Sequence, residues 1–277
     1  MKANNILARI IKDRVFKGVT ILFVVVSMLP LLFILLYIIR NGIAVINWQF
    51  LAELPKPVGE LGGGISNALV GTGILILSAC LFSIPLGVAA GIYLSEHRIG
   101  RPAYAVRLCA EVLHGIPSIV IGIIAYIWLV VPMGTFSALS GGIALGIMML
   151  PVIVRTTEET LKLVPGTLKE ASLALGVPYY KTMLKVILPA GLSGVLTGIL
   201  LSIARIAGET APLLFTAFGS PFMDVNILKP VNSMPLLIFN YATSPYPEWH
   251  ALAWGASFVL VVFVLTLNIL AKVISRR

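Results

Sequence analysis

The chain has 277 residues, 58% of them hydrophobic and only 11% charged, with a mean hydropathy of +1.02. A soluble domain carries roughly a quarter charged residues, so this chain lacks the polar surface to cover itself in water and implies the lipid bilayer as its solvent. Its net charge of +9 does not point to nucleic acid, because the basic residues cluster at the ends of apolar runs, where they act as topology signals.

Six apolar segments follow one another, which predicts an all-α membrane protein with six transmembrane helices. The first covers residues 19–39, long enough to cross ~30 Å of hydrocarbon. Basic residues precede it and no small-residue cleavage site follows, so it reads as a retained helix rather than a secretory signal. The second, 65–94, is longer than a span needs and is expected to be broken by Gly71, Gly73, Pro85, Gly87 and Gly91. The third, 116–131, and the fourth, 140–154, are short and separated by a turn at 132–134. The fifth covers 188–218 and the sixth 251–274. Residues 40–64 and 219–250 read as loops and interfacial pieces, with Trp48 and Trp249 as interface anchors. The domain division expected is 1–60, holding the first helix and its flanks, and 61–277, a permease-like core.

The basic residues orient this scheme. Lys2, Arg9, Lys12, Arg14 and Lys17 precede the first span, and Arg98, Arg101 and Arg107 follow the second. Arg155, Lys162, Lys169, Lys181 and Lys185 follow the fourth, and Lys272, Arg276 and Arg277 lie in the tail. All of these fall on one side, against Arg40, Lys56 and Lys229 on the other, with Arg205 inside the fifth span. The asymmetry places both termini in the cytoplasm and agrees with an even number of spans.

Residues 163–189 are too polar to span and too well patterned to be disordered. Thr167-Leu-Lys-Glu170 reads as a capping box, with Leu168, Ala171, Ser172 and Leu175 at helical spacing after it. Gly176 suits a left-handed cap, and Pro178 can start a second helix. Two readings stand: a surface helix in an ordinary loop, or a compact knob presented to a soluble partner.

Little in the chain suggests chemistry. Cys80 and Cys109 lie in or beside apolar stretches, and His97, His114 and His250 share no spacing, so no metal site is expected. No Gly-Lys dipeptide occurs, which excludes a Walker A loop and leaves any nucleotide to a partner. His-Glu-x-x-His, Gly-x-Ser-x-Gly and clustered Asp pairs are also missing, so no catalytic residue is assigned. Arg205 and Glu209 are the exceptional charges. They are four apart, on one face if the helix continues, and a charge in mid-membrane costs at least ~2.5–3.5 kcal/mol. They form either a self-neutralising packing pair or the lining of an anion path, with Thr210 beside them. Ser118, after Pro117, lines a pore or simply begins a helix.

Glu170-Ala171-Ser172, then Gly176, Val186, Leu188 and Pro189, resemble the EAA loop of binding-protein-dependent ABC importer permeases, departing at Ser172 and Val186 alone. Residues 114–123, 205–213 and 234–254 are similar to PstA-type permeases of phosphate importers. That resemblance covers roughly 60–270. It implies a type I ABC importer permease (MetI-like) fold in the bacterial inner membrane. It implies that Thr167, Glu170, Ala171, Ser172 and Gly176 form a coupling helix against an ATPase, and that Arg205, Glu209, Thr210 and Ser118 line the path of inorganic phosphate. The partners implied are a PstC-like permease, a dimeric PstB-like ATPase holding ATP and Mg, and a PstS-like periplasmic phosphate-binding protein, with no cofactor on this chain. An importer for molybdate, sulfate or another solute is the alternative. A self-contained channel would not need the elbow, and no pair of inverted halves suggests a secondary transporter.

Overall fold

The computed structural model describes residues 2–60, 62–97 and 99–275, with side chains from residue 9 onward. Arg98, Arg276, Arg277 and the side chain of Lys2, all used in the orientation argument, lie outside that description. Among the described residues the only β feature is one bridge, Phe218 to Val231; the ordered elements are helices.

Helix α1, Lys2–Gly42, is apolar and exposed along almost its whole described length. It leans on the last helix, where Tyr37 meets Trp254 edge to face at 5.0 Å. After the short helix Trp48–Ala52, α2 runs unbroken from Ser66 to Glu96. The glycines and Pro85 expected to break this span do not. In an apolar solvent an opened backbone group has no water to turn to, so the helix persists through them. The glycines serve close approach instead: a Cβ on Gly91 would lie 2.5 Å from Thr157 Cβ on the neighbouring helix Ala138–Leu163.

The third expected span, 116–131, is matched by one arm of a bent pair of helices. Helix α3, Arg101–Gly115, meets α4, Ser118–Met133, at 105°. Pro117 stands at the bend, where its ring disfavours a continuous helix through the residue before it. Gly134 closes α4 in the left-handed conformation, φ +66°, as the expected turn requires.

Helix α5, Ala138–Leu163, is the centre of the molecule. Two-thirds of its apolar stretch is buried (67%), against 22% for α2 and none for α1. Ser137 begins it, its hydroxyl accepting from the Ser140 N–H at 3.1 Å. The helix continues nine residues past the expected end at 154, through Arg155 and Glu158. Those charges do not stop it because Glu158 is paired on three sides, as described below.

The elbow follows: α6, Gly166–Ala174, then α7, Tyr179–Ala190, which bends by 69° into α8, Leu192–Ile206. The fifth span therefore ends at Ile206, not 218. A turn and a short helix α9, Ala211–Thr216, replace its second half. Helix α10, Met234–Ala242, and α11, Pro247–Ser275, complete the chain. Trp249 is stacked on Tyr241 at 4.6 Å, while Trp48 is 82% exposed. Among the described residues four helices are long and apolar enough to cross a membrane, or up to six if each bent pair counts as one span.

The main core joins Leu75 of α2, Leu145 and Met149 of α5, Ile206 of α8 and Leu213 of α9. Contact between α5 and α8 is equally close, since a Cβ on Gly198 would meet Thr156 Oγ1 at 2.1 Å.

Candidate functional site

The elbow is a helix, a sharp reversal and a second helix. Pro165 is the N-cap of α6 and no side chain caps it. The expected capping box is absent: Thr167 lies inside the first turn, and the backbone bond from Leu168 N–H to Pro165 O, 3.2 Å, shows the helix already under way. With Pro165 and Gly166 opening the helix, the Thr167 hydroxyl has moved past the cap position. The other end is as expected. Gly176 has φ +78°, Gly176 N–H reaches Leu173 O at 2.9 Å and Val177 N–H reaches Ser172 O at 3.2 Å. This nested pair of bonds is a Schellman turn, which needs a left-handed residue at the position of Gly176.

The two arms are tied together from inside. Ser172 is buried and its hydroxyl lies 2.9 Å from that of Thr182. Ser172 thus replaces the usual alanine for a local reason, since its hydroxyl has a partner across the reversal. Glu170 and Ala171 point outward with Leu173, Leu175 and Tyr180, Leu175 being 84% exposed. The knob offers an apolar patch and an acid at the end of the bundle.

Beneath the knob, Lys169 forms an ion pair with Glu96, and the Tyr179 hydroxyl donates to the same carboxylate oxygen. Lys169 also lies over the Tyr179 ring, 5.0 Å from its centroid. Burial disfavours the charge on Lys169, but the Glu96 carboxylate outweighs it and holds the ammonium above its ordinary pKa. Alongside, Glu158 is 1% exposed, accepts from Arg107 Nε at 2.8 Å and pairs with Lys162, with Arg155 Nη1 at 4.0 Å from its other oxygen. Arg107 Nη2 also donates to Leu94 O at 3.0 Å and His97 O at 3.1 Å, the terminal carbonyls of α2. Sequence reasoning did not single out Glu96, Arg107 or Glu158. Acids within or at the end of long apolar helices were the available signal.

Arg205 and Glu209 sit elsewhere, and not as expected. The helix ends at Ile206, so the pair straddles a break rather than sharing one helical face. Arg205 Nε is 3.8 Å from Glu209 Oε1, with the side chains 43% and 21% exposed. Arg205 occupies the last turn of α8 and Glu209 precedes α9. A cation at a helix C-terminus and an anion before an N-terminus both complement the helix dipoles, which lowers the cost of holding charge there. Ile206 packs among Leu75, Leu145 and Leu213, so the break lies about two turns inside α2 and α5. Thr210 is the N-cap of α9, its carbonyl accepting from Leu213 and Leu214. Ser118 is the first residue of α4, whose Gly122 packs on Pro212 of α9. Structure therefore brings the helix of Ser118 against the segment that follows Thr210. A cavity of about 350 Å³ between α3 and α5 touches Arg107, His114, Arg155 and Glu158 but none of these four residues. Within this one chain the Arg205 face is open rather than enclosed.

Known proteins resemble this chain in sequence and fold. Residues 83–277 match the family described as binding-protein-dependent transport system inner membrane component. The Yersinia pestis phosphate transport system permease protein PstA is 44% identical over 247 residues, covering 88% of this chain and 83% of its own length. The Haemophilus influenzae protein of the same name is 37% identical over 261 residues, covering 94% and 92%. Among solved structures, the inward-facing MetNI methionine ABC transporter matches with a TM-score of 0.64 at 20% identity, over 76% of this chain and 94% of that one. The chain is a multi-pass membrane protein and a transporter subunit, not an enzyme, and it belongs to the binding-protein-dependent transport system inner membrane components, within them to the PstA-type permeases of phosphate ABC importers.

Proposed function

We propose that this chain is one membrane-spanning half of an ATP-driven importer that carries inorganic phosphate across a bacterial inner membrane. The other half is a PstC-like permease. A PstB-like ATPase dimer, holding ATP and Mg, docks on the elbow through Glu170, Ala171 and the reversal at Gly176. A PstS-like binding protein delivers phosphate at the opposite face. Both termini and the elbow face the cytoplasm, a reading supported by the basic residues gathered on that side. Reporter fusions at Pro57 and Pro245 are expected outside and one at Gly166 inside; an outside signal at Gly166 sinks the orientation.

The observation that carries the transport reading is the half-exposed Arg205 at a helix break about two turns inside α2 and α5. Facing lipid there, its charge would cost at least about 2.5–3.5 kcal/mol. A second protein surface enclosing an aqueous path removes that cost. The planar guanidinium then offers an oxyanion a fixed fork of donors. Glu209 beside it accepts a hydrogen bond from the P–OH that phosphate keeps at neutral pH, and repels sulfate, which has no such donor. Charge balance between the two keeps a passing anion from being trapped.

The test is reconstitution. Purified in mild detergent with its co-expressed ATPase, second permease and binding protein, the complex should drive ATP-dependent uptake of labelled phosphate into vesicles. Excess sulfate or molybdate should not compete. Uptake blocked by either anion would reassign the cargo, and failure of an ATPase to co-purify would remove the importer reading.

A further inference from the structure

The carboxylate of Glu96 is in an unfavourable place by local rules. It occupies the last residue of α2, where the helix dipole disfavours an anion and favours a cation. Arg107 meets that preference by bonding the carbonyls of Leu94 and His97. Glu96 instead turns to the elbow, where Lys169 of α6 and the Tyr179 hydroxyl of α7 converge on one of its oxygens. These two partners are 73 and 83 residues away in sequence and stand on opposite sides of the Gly176 reversal. Lys169 also covers the Tyr179 ring, closing the triangle. One side chain thus holds both arms of the knob and fastens them to a helix to which the elbow has no direct chain connection.

That helix does not move alone. α2 is packed against α5 at Gly87 and Gly91, where Ile153 and Thr157 leave no room even for a methyl group. α5 leads directly into the elbow, and α8 leaves it. We propose that Glu96 is a positioning residue for energy coupling: it locks the elbow to the inner end of α2, so that displacement of the knob by the ATPase is delivered to the α2–α5 pair and not absorbed by the turn at Val164 and Pro165. This inference rests on the elbow being the ATPase-docking element.

The assembled importer in vesicles is the test, read as phosphate transported per ATP hydrolysed. Glu96→Gln should lower that ratio at least about fivefold, the lower range of coupling between sites, with complex yield and ATP hydrolysis retained. Tyr179→Phe should lower it less. The exchange Glu96→Lys with Lys169→Glu should recover part of the ratio at unchanged complex yield, whereas a merely structural role would show as lost yield at an unchanged ratio. Gly176→Val in the same preparation separates the two readings. If Gly176→Val keeps the full ratio, the elbow is not the docking element. If Gly176→Val loses it while Glu96→Gln and Tyr179→Phe keep it, the elbow stands and the Glu96 inference is overturned. Should Glu96→Gln fail to assemble, Tyr179→Phe decides: a lowered ratio at normal yield supports the inference, and an unchanged ratio overturns it.

Discussion

The inner cluster beneath the elbow and the break at Arg205–Glu209 both place charge at helix ends in an apolar chain, and they satisfy it in opposite ways. Around the elbow, Glu96 gathers Lys169 and Tyr179 from distant segments of the chain, and Glu158 gathers Arg107 from another helix and Lys162 from its own. At the break, Arg205 has a carboxylate at 3.8 Å, beyond hydrogen-bonding distance, and stays 43% exposed. A charge that transmits displacement needs fixed partners, because only stiff contacts carry it. A charge that handles a passing anion must stay open, because a fully paired guanidinium has no donors left to offer. The contrast predicts that damage to the first region shows as lost stability or coupling, and damage to the second as lost flux.

The break should respond most. Arg205→Ala is expected to lower phosphate uptake about a hundredfold at normal complex yield, the scale of truncating one partner of a charge-assisted contact. Arg205→Lys and Glu209→Gln should fall between. If the loss instead appears as failed assembly that a charge-exchanged pair repairs, the pair is packing and the contrast between the regions disappears. Full uptake by Arg205→Ala eliminates both roles.

Next comes the buried hub. Glu158→Ala leaves Arg107 and Lys162 facing each other without their shared anion. A loss of about 2–3 kcal/mol is expected, at or below the low end for a broken buried pair because Lys162 is 32% exposed. A lower melting temperature in detergent measures it; unchanged melting would show the cluster to be idle.

Gly176→Val tests the reversal. A side chain there meets nothing within 4 Å, so the cost is the backbone alone, about 1 kcal/mol or more at φ +78°. Insertion should survive while transport per ATP falls severalfold in reconstituted vesicles. The smallest effect belongs to Thr167→Ala. With no capping bond to lose, the change should stay within about 0.5 kcal/mol by thermal unfolding. A loss nearer 1 kcal/mol would mean that the hydroxyl caps α6 after all.

What the sequence determined without help was whatever local chemistry decides. Composition and apolar runs placed the segments that cross the bilayer, because burying apolar side chains in lipid does not depend on their neighbours. The reversal at Gly176 was legible because only a residue free of Cβ strain settles there, and Pro178 then starts the next helix. Tertiary structure decided the rest. Whether Pro85 or the glycines break α2, and whether α5 passes Arg155 and Glu158, depended on what stands opposite them. The bend at Gly191 and the end of α8 at Ile206 also escaped the apolar pattern, which the sequence reading had carried through to 218. Arg107 lies 51 residues from Glu158, and Lys169 lies 73 from Glu96. No local rule joins such pairs. They form because an ion held at the end of an apolar helix needs a counter-ion, and only the packed bundle determines which one is within reach.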